Sequence, residues 1–154
     1  MGVQDILSRE AVIPNVAARC KREVISIVAK RACELTGIAD ETISAALMDR
    51  EQLGSTGLGD GVAIPHGKIA GLNKITGVFA KLSTPIDFDA VDGMPVDLVF
   101  LLLAPSEASA AHLKALAKVS RLLREADIRE ALRGAETTEA IYAIASNPEH
   151  SNAA

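Results

Sequence analysis

The chain has 154 residues, 49% of them apolar and only 3% aromatic, so we expect one domain with an aliphatic core. A formal net charge of -4 argues against nucleic acid as the main partner, because there is no basic excess to neutralise its phosphates. The longest apolar run, residues 98–104, is far shorter than the ~20 residues of a membrane span, and no signal peptide pattern begins the chain, so we expect no membrane insertion.

The first third of the chain predicts an edge strand and two helices. Residues 12–16 are apolar but contain Pro14, which lacks a backbone N–H and therefore suits a sheet edge. Apolar side chains recur at helical spacing over residues 19–35, and Gly37 suits the helix end. Asp40 is typical of an N-cap, which predicts a second helix through Leu53.

The middle third predicts loops and short strands. Residues 54–61 form a loop by composition, and short strands are expected at 61–64 and 75–82. Residues 83–97 predict turns, with room for a short hairpin. The continuous apolar run that ends at Ala104 begins after Asp97 and suits a central strand covered on both faces.

The last third predicts three helices, at residues 107–124, 127–132 and 137–146. Helices at both ends and strands in the middle indicate an α/β fold, a mixed β-sheet with helices on both faces. We expect one domain over residues 5–148 and a frayed tail at 149–154. The two cysteines, Cys20 and Cys33, lie too far apart on one helix to pair, which favours reduced thiols in the cytoplasm.

Several ligand motifs are absent. The glycine-rich stretch that ends in Gly67 has the wrong spacing for a P-loop, and Ile69 stands where a magnesium-binding hydroxyl belongs. It also fails the dinucleotide fingerprint, because Ile64 replaces the last glycine. The aspartates of "DFDAVDG" miss the spacing of a calcium loop, and the histidines and cysteines show no zinc-type pairing, so we expect no metal.

His66, in "GLGDGVAIPHGK", is the residue that these tests leave for chemistry. Pro65 has a fixed φ and restrains Ile64 to an extended conformation, so the imidazole should project from a stiff strand end. Gly67 has no Cβ, which leaves space for a bulky group. A polar turn residue is the alternative interpretation.

Other polar side chains are placed to serve an anion at the same site. Arg50 falls on the apolar stripe of its helix, where a guanidinium either snorkels to solvent or meets an anion. His112 shares a face with apolar residues near a helix start and is either a satisfied core histidine or an anion ligand. Ser55 and Thr56 add hydroxyls that serve the turn or a ligand.

Three segments, "GSTGLGDGVAIPHGK", "TPIDFDAVDGMPVDLVFLLLAP" and "AHLKALAKVSRLL", resemble the enzyme IIA domain of the phosphoenolpyruvate:sugar phosphotransferase system. The similarity is to the fructose/mannitol class, and most of all to its nitrogen-regulatory branch. It implies the mannitol-type IIA fold and a phosphocarrier whose phosphorylated histidine is His66. It further implies that His112 stabilises the phosphoryl group, that Arg50 forms its ion pair, and that Ser55 or Thr56 contacts it.

The resemblance also implies partners. The donor would be a small histidine phosphocarrier protein, and the acceptors would be regulated target proteins, with no metal or nucleotide cofactor. Two alternatives stay open: a sugar-specific IIA component, and an interaction module that acts without phosphorylation.

Overall fold

The computed structural model describes residues 2–147, which contain a mixed sheet of six strands. The order across the sheet is β1-β5-β6-β3-β2, and β4 follows β3 along the same side of β6. β5 and β6 are antiparallel, as are β2 and β3, whereas the other pairs are parallel. The strands are β1 (Val12–Val16), β2 (Gly57–Gly59), β3 (Val62–Ala63), β4 (His66–Ile69), β5 (Thr76–Ile86) and β6 (Val96–Pro105).

Helices cover both faces of the sheet, as predicted. α1 and α2 pack on each other and against β5 and β4, while α3 packs on β6 and continues into α4 and α5. Two short 3₁₀ turns, Val3–Asp5 and Arg9–Ala11, precede the first strand. The helices are α1 (Lys21–Thr36), α2 (Asp40–Gln52), α3 (Ser109–Arg124), α4 (Ala126–Gly134) and α5 (Thr138–Ala145).

β6 is the central strand that its continuous apolar run predicts. It pairs with β5 on one side and with β3 and β4 on the other, and every residue from Leu98 to Ala104 is fully buried. Such a strand has no solvent face, so its sequence does not alternate. The three phenylalanines, Phe79, Phe88 and Phe100, are also fully buried within an otherwise aliphatic core.

The strand predictions around the glycine-rich segment were partly wrong. The predicted loop contains β2, the strand predicted at 61–64 is only Val62–Ala63, and β4 was not predicted. β4 has no alternating apolar pattern of its own, and it forms because His66–Ile69 pairs with Leu102–Pro105 of β6. β5 likewise extends to Ile86 through residues predicted as turns.

The helix predictions held, with shifts of one or two residues at the ends. Gly37 ends α1 with a φ of 78°, as a C-cap glycine should. Asp40 is the first residue of α2 rather than its N-cap, which is Ala39. Cys20 and Cys33 are both free thiols. The tail predicted at 149–154 lies outside the described residues.

Membrane spans and metal sites are two features that would bear on function. Across residues 2–147, no helix combines the length and the apolarity that crossing a bilayer requires. The same residues hold no group of three or more histidine, cysteine, aspartate or glutamate side chains arranged to bind a metal ion.

Candidate functional site

His66 is the first residue of β4, directly after a bend that the backbone holds firmly. The carbonyl of Pro65 accepts a hydrogen bond from the amide of Leu102 at 2.9 Å, and the amide of Ile64 donates to the carbonyl of Thr56 at 3.0 Å. The Nδ1 atom of His66 lies 2.8 Å from the carbonyl oxygen of Ile64. Because a carbonyl only accepts, Nδ1 must carry the proton, and the lone pair is on Nε2.

Arg50, in the last turn of α2, reaches that lone pair. Its Nε lies 3.3 Å from Nε2 of His66, and its terminal NH1 donates to the carbonyl of Gly54 at 2.9 Å. Within residues 2–147, no carboxylate pairs with this guanidinium. Arg50 therefore contacts the candidate nucleophile and has no carboxylate partner in residues 2–147, and its role as an anion ligand stays a prediction.

His112 lies beside His66. The two ring centroids are 5.6 Å apart, with an edge-on interplanar angle of 67°. His112 is 6% exposed, and its buried Nε2 has no hydrogen-bond partner in residues 2–147. A core histidine is normally satisfied, since leaving a buried polar atom unpaired costs about 1–3 kcal/mol. An unsatisfied one, next to the candidate nucleophile, is typical of a site that awaits a ligand.

Both imidazoles are kept neutral. Burial lowers the pKa of His66 below its ordinary 6.5, and the positive charge of Arg50 lowers it further, against the opposing hydrogen bond to Ile64. Burial also lowers the pKa of His112, and the nearby His66 and Lys68 act in the same direction. A neutral His66 at pH 7 retains the lone pair that a nucleophile needs.

The two loop hydroxyls are already engaged. Ser55 Oγ donates to the carbonyl of Phe88 at 2.6 Å and accepts from the amide of Gly57 at 3.0 Å. The Thr56 hydroxyl makes a short hydrogen bond to the carboxylate of Glu51. Either hydroxyl would have to exchange its present acceptor in order to donate to a phosphate oxygen, so the choice between Ser55 and Thr56 stays open.

The sequence predicted that the missing Cβ of Gly67 leaves space for a bulky group, but in the structure a helix packs there. A Cβ built on Gly67 would lie 3.7 Å from the Cβ of Ala46, an ordinary contact. The group that approaches this glycine is therefore helix α2, because β4 packs against it. This contact brings Arg50, one turn further along α2, next to the adjacent His66.

Sequence reasoning missed two charged residues near the site. Glu51 is buried under the loop and bonds to Thr56 and Lys21. Its signal was available, because Glu51 continues the i, i+4 stripe of Ile43 and Leu47 on α2. Lys68 follows His66 on β4, and its Nζ donates to Ser109 Oγ at 2.5 Å, at the start of α3.

Four of the predicted site residues line an open cleft of about 310 Å³, whereas His112 contacts the ring of His66 without lining it. Its wall combines one guanidinium, one imidazole and three hydroxyls with apolar side chains, which suits a small anion better than a large apolar ligand. The residues that line it are Arg50, Ser55, Thr56, Leu58, Ile64, His66, Leu116, Ala117 and Ser120.

Comparison with known proteins identifies the class to which this fold and site belong. Residues 5–147 match the model of the family described as phosphoenolpyruvate-dependent sugar phosphotransferase system, EIIA 2, and the chain belongs to this family. Its curated relatives include nitrogen regulatory proteins of Bradyrhizobium diazoefficiens, 48% identical, and of Klebsiella oxytoca, 37% identical. The first match covers 96% of this chain and 97% of the relative, and the second covers 92% and 88%.

Solved structures agree with that placement. The nitrogen regulatory protein IIA-Ntr from Neisseria meningitidis superposes with a TM-score of 0.87 at 35% identity, over 92% of this chain and 97% of that one. IIA mannitol from Escherichia coli has a TM-score of 0.74 at 20% identity, over 89% and 96%, which shows the shared fold alone. Within the family, the chain therefore falls in the nitrogen-regulatory branch, as its motifs predicted.

Proposed function

We propose that this protein is a cytoplasmic phosphocarrier that receives a phosphoryl group on Nε2 of His66. The donor would be the phosphohistidine of a small carrier protein in a nitrogen-type phosphotransfer chain. The phosphorylated and free forms would then differ in their binding to regulated target proteins. The names of the relatives, nitrogen regulatory proteins, support the regulatory part of the proposal.

The observation that carries the proposal is the geometry around Nε2 of His66. The hydrogen bond to Ile64 leaves the lone pair on Nε2, and a positive guanidinium without a carboxylate partner in residues 2–147 lies 3.3 Å away. The ring of His112, whose buried nitrogen has no partner within the same residues, is adjacent. These are the parts that a nucleophile for phosphorus requires: a lone pair on the attacking nitrogen, a cation and a further hydrogen-bond donor.

The transfer needs no general base, because imidazole attacks with a lone pair. A bond forms between Nε2 of His66 and phosphorus while the phosphorus–nitrogen bond of the donor breaks and its electron pair returns to the donor imidazole. Nδ1 keeps its proton throughout, held by Ile64. Arg50 can neutralise charge on the phosphoryl oxygens, and positioning with charge neutralisation accounts for most of the catalysis in such transfers.

The test is phosphate labelling with phosphoenolpyruvate, enzyme I and the carrier protein. Wild type should acquire acid-labile, base-stable phosphate, and His66→Ala should acquire none. The chain offers a control, because its third histidine, His150, belongs to none of the three segments that resemble the family. His150→Ala should label like wild type. Equal labelling of His66→Ala and wild type would rule out His66 as the acceptor.

A second candidate is a sugar-delivering IIA component. A fructose-specific EIIABC component of Bacillus subtilis is 32% identical over 145 residues, although the match covers only 23% of that protein. Transfer of phosphate from this protein to a IIB partner, followed by sugar phosphorylation, would favour that function. Target binding that is the same for wild type, His66→Ala and His66→Asp would instead favour an interaction module without phosphorylation.

A further inference from the structure

A buried ion network lies under the loop that forms one wall of the cleft. The carboxylate of Glu51 accepts from Lys21 Nζ at 3.0 Å and from the amide of Thr56 at 3.2 Å, and it also bonds to the Thr56 hydroxyl. Only 3% of the Glu51 side chain is exposed. Lys21, at the start of α1, also pairs with Asp89 at 3.4 Å and sits 4.8 Å from the Phe88 ring centroid.

Burying the charges of this network costs free energy, and the network lies next to residues that line the cleft. A buried carboxylate loses its hydration, and the fold retains one only when several donors compensate it. Glu51 is covalently next to Arg50, and its partner Thr56 is next to Ser55. Thr56, which lines the cleft, therefore bonds to this carboxylate, and Arg50 and Ser55, which also line it, are sequence neighbours of the bonded pair.

We propose that Glu51 is a positioning residue for the phosphoryl site: it holds the loop of residues 54–56 against α2. The role at a phosphoryl site rests on the proposed function, whereas the contacts that hold the loop to Glu51 do not depend on it. Without Glu51, the Thr56 amide and hydroxyl would lose their acceptor, and the loop that carries Ser55 would no longer be fixed relative to Arg50.

The charges around His66 provide a second readout of the Glu51 side chain. Arg50 from α2 faces Nε2, His112 approaches from α3, and Lys68 is two residues along β4. Besides the larger effects of burial and of the hydrogen bond to Ile64, the charge of Arg50 lowers the pKa of His66 and that of Glu51 raises it.

Two variants of Glu51 separate the effect of its charge from the effect of its side-chain length. Glu51→Gln keeps the length of the side chain but removes the charge, whereas Glu51→Asp keeps the charge but is one methylene shorter. Asp49→Asn is the matched control, because it removes one charge from an exposed position of the same helix. The readouts are the His66 pKa from NMR titration, hydrogen exchange of the Thr56 amide, and the rate of phosphoryl transfer at saturating donor.

Glu51→Gln should lower the His66 pKa relative to wild type and Asp49→Asn, and it should slow transfer. Glu51→Asp should leave the His66 pKa near that of wild type but speed exchange of the Thr56 amide and slow transfer by about tenfold or more. If Glu51→Gln fails to fold, Glu51→Asp alone decides the positioning claim.

The proposal is overturned if both Glu51 variants transfer phosphate as fast as Asp49→Asn, or if the pKa of His66 and the exchange of the Thr56 amide are the same in all proteins. Failure of the proposed function looks different. In that case wild type itself takes up no phosphate, while the titration and the amide exchange still report whether Glu51 positions the loop and tunes His66.

Discussion

Two arginines of this protein, Arg50 and Arg133, show how a site differs from a structural ion pair. Arg133 donates through Nε and NH2 to both oxygens of Asp97, at 2.9 to 3.1 Å, and NH2 also reaches the carbonyl of Asp60 at 2.7 Å. Arg50 instead donates to one carbonyl and to a neutral imidazole nitrogen, and in residues 2–147 it meets no carboxylate.

The two guanidinium groups differ in their capacity to bind a further anion. The charge of Arg133 is neutralised by a fork-shaped pairing with a carboxylate, an arrangement that stabilises structure and leaves little affinity for a further anion. Arg50 pairs with no carboxylate in residues 2–147 and donates to His66, which lies beside buried His112, whose Nε2 has no partner there either. The fold thus pairs Arg133 with a carboxylate where it supports structure, and it leaves Arg50 without a carboxylate and His112 Nε2 without a partner in residues 2–147 where we place the phosphoryl group.

The largest expected effect is on phosphoryl transfer when Arg50 is removed. Arg50→Ala should raise the transition-state free energy by roughly 1.5–3 kcal/mol, which slows transfer about tenfold to a hundredfold, because one charge-assisted contact is lost. Its urea midpoint should stay close to that of wild type. The measurements are single-turnover transfer and equilibrium unfolding.

Arg133→Ala is the matched comparison for Arg50→Ala and should show the reverse. It should lose about 1 kcal/mol of stability, since its ion pair is partly exposed, and transfer at the normal rate. If Arg50→Ala unfolds more readily than Arg133→Ala while both transfer normally, Arg50 is a structural arginine and the contrast fails.

We expect a smaller effect at His112, whose replacement should raise stability but slow phosphoryl transfer. His112→Leu should increase the free energy of unfolding by about 1 kcal/mol, because it removes a buried nitrogen that has no partner in residues 2–147. The same variant should slow phosphoryl transfer, since the hydrogen-bond donor of the imidazole is lost. His112→Gln, which keeps a hydrogen-bond donor, serves as the control and should be less stable than His112→Leu. A destabilised His112→Leu would mean that the imidazole already has a stabilising role in the free protein.

The smallest effect concerns pH. Both His66 and His112 have pKa values below the ordinary 6.5 in the folded protein, so the unfolded chain binds more protons as the pH falls through 6.5. Stability should therefore decrease between pH 7.5 and pH 5.5 and recover when the pH is raised. Replacing His66 with Gln and His112 with Leu together should flatten this dependence. An unchanged slope in the double variant would assign the effect to other groups.

The sequence predicted those parts of the fold whose signals are local. The apolar run of β6, the helical spacing of α3 and the glycine at the end of α1 each identify an element without reference to the rest of the chain. β4 could not be predicted in this way, because "HGKI" becomes a strand only by pairing with β6. The prediction failed where tertiary pairing overrides local preference.

The same distinction holds for the site. His66, Arg50 and His112 were selected because a stiff bend, an inward-facing arginine and a helix-start histidine are visible in the sequence, and the structure brings all three together. The hydroxyl partners of Ser55 and Thr56 were not predictable, since Phe88 and Glu51 approach them only in three dimensions. Glu51 continues the apolar stripe of α2 in the sequence, but its bond to Thr56 was not predicted.

The central claim is that Nε2 of His66 is the atom that accepts the phosphoryl group, and nitrogen–phosphorus NMR tests it directly. The protein would be labelled with ¹⁵N in its histidines and phosphorylated by its carrier protein, and the spectra would assign the phosphorylated nitrogen. We expect a phosphorus coupling to Nε2 of His66, with Nδ1 still protonated and bonded to Ile64. A coupling to Nδ1, or to a nitrogen of His112, would contradict it.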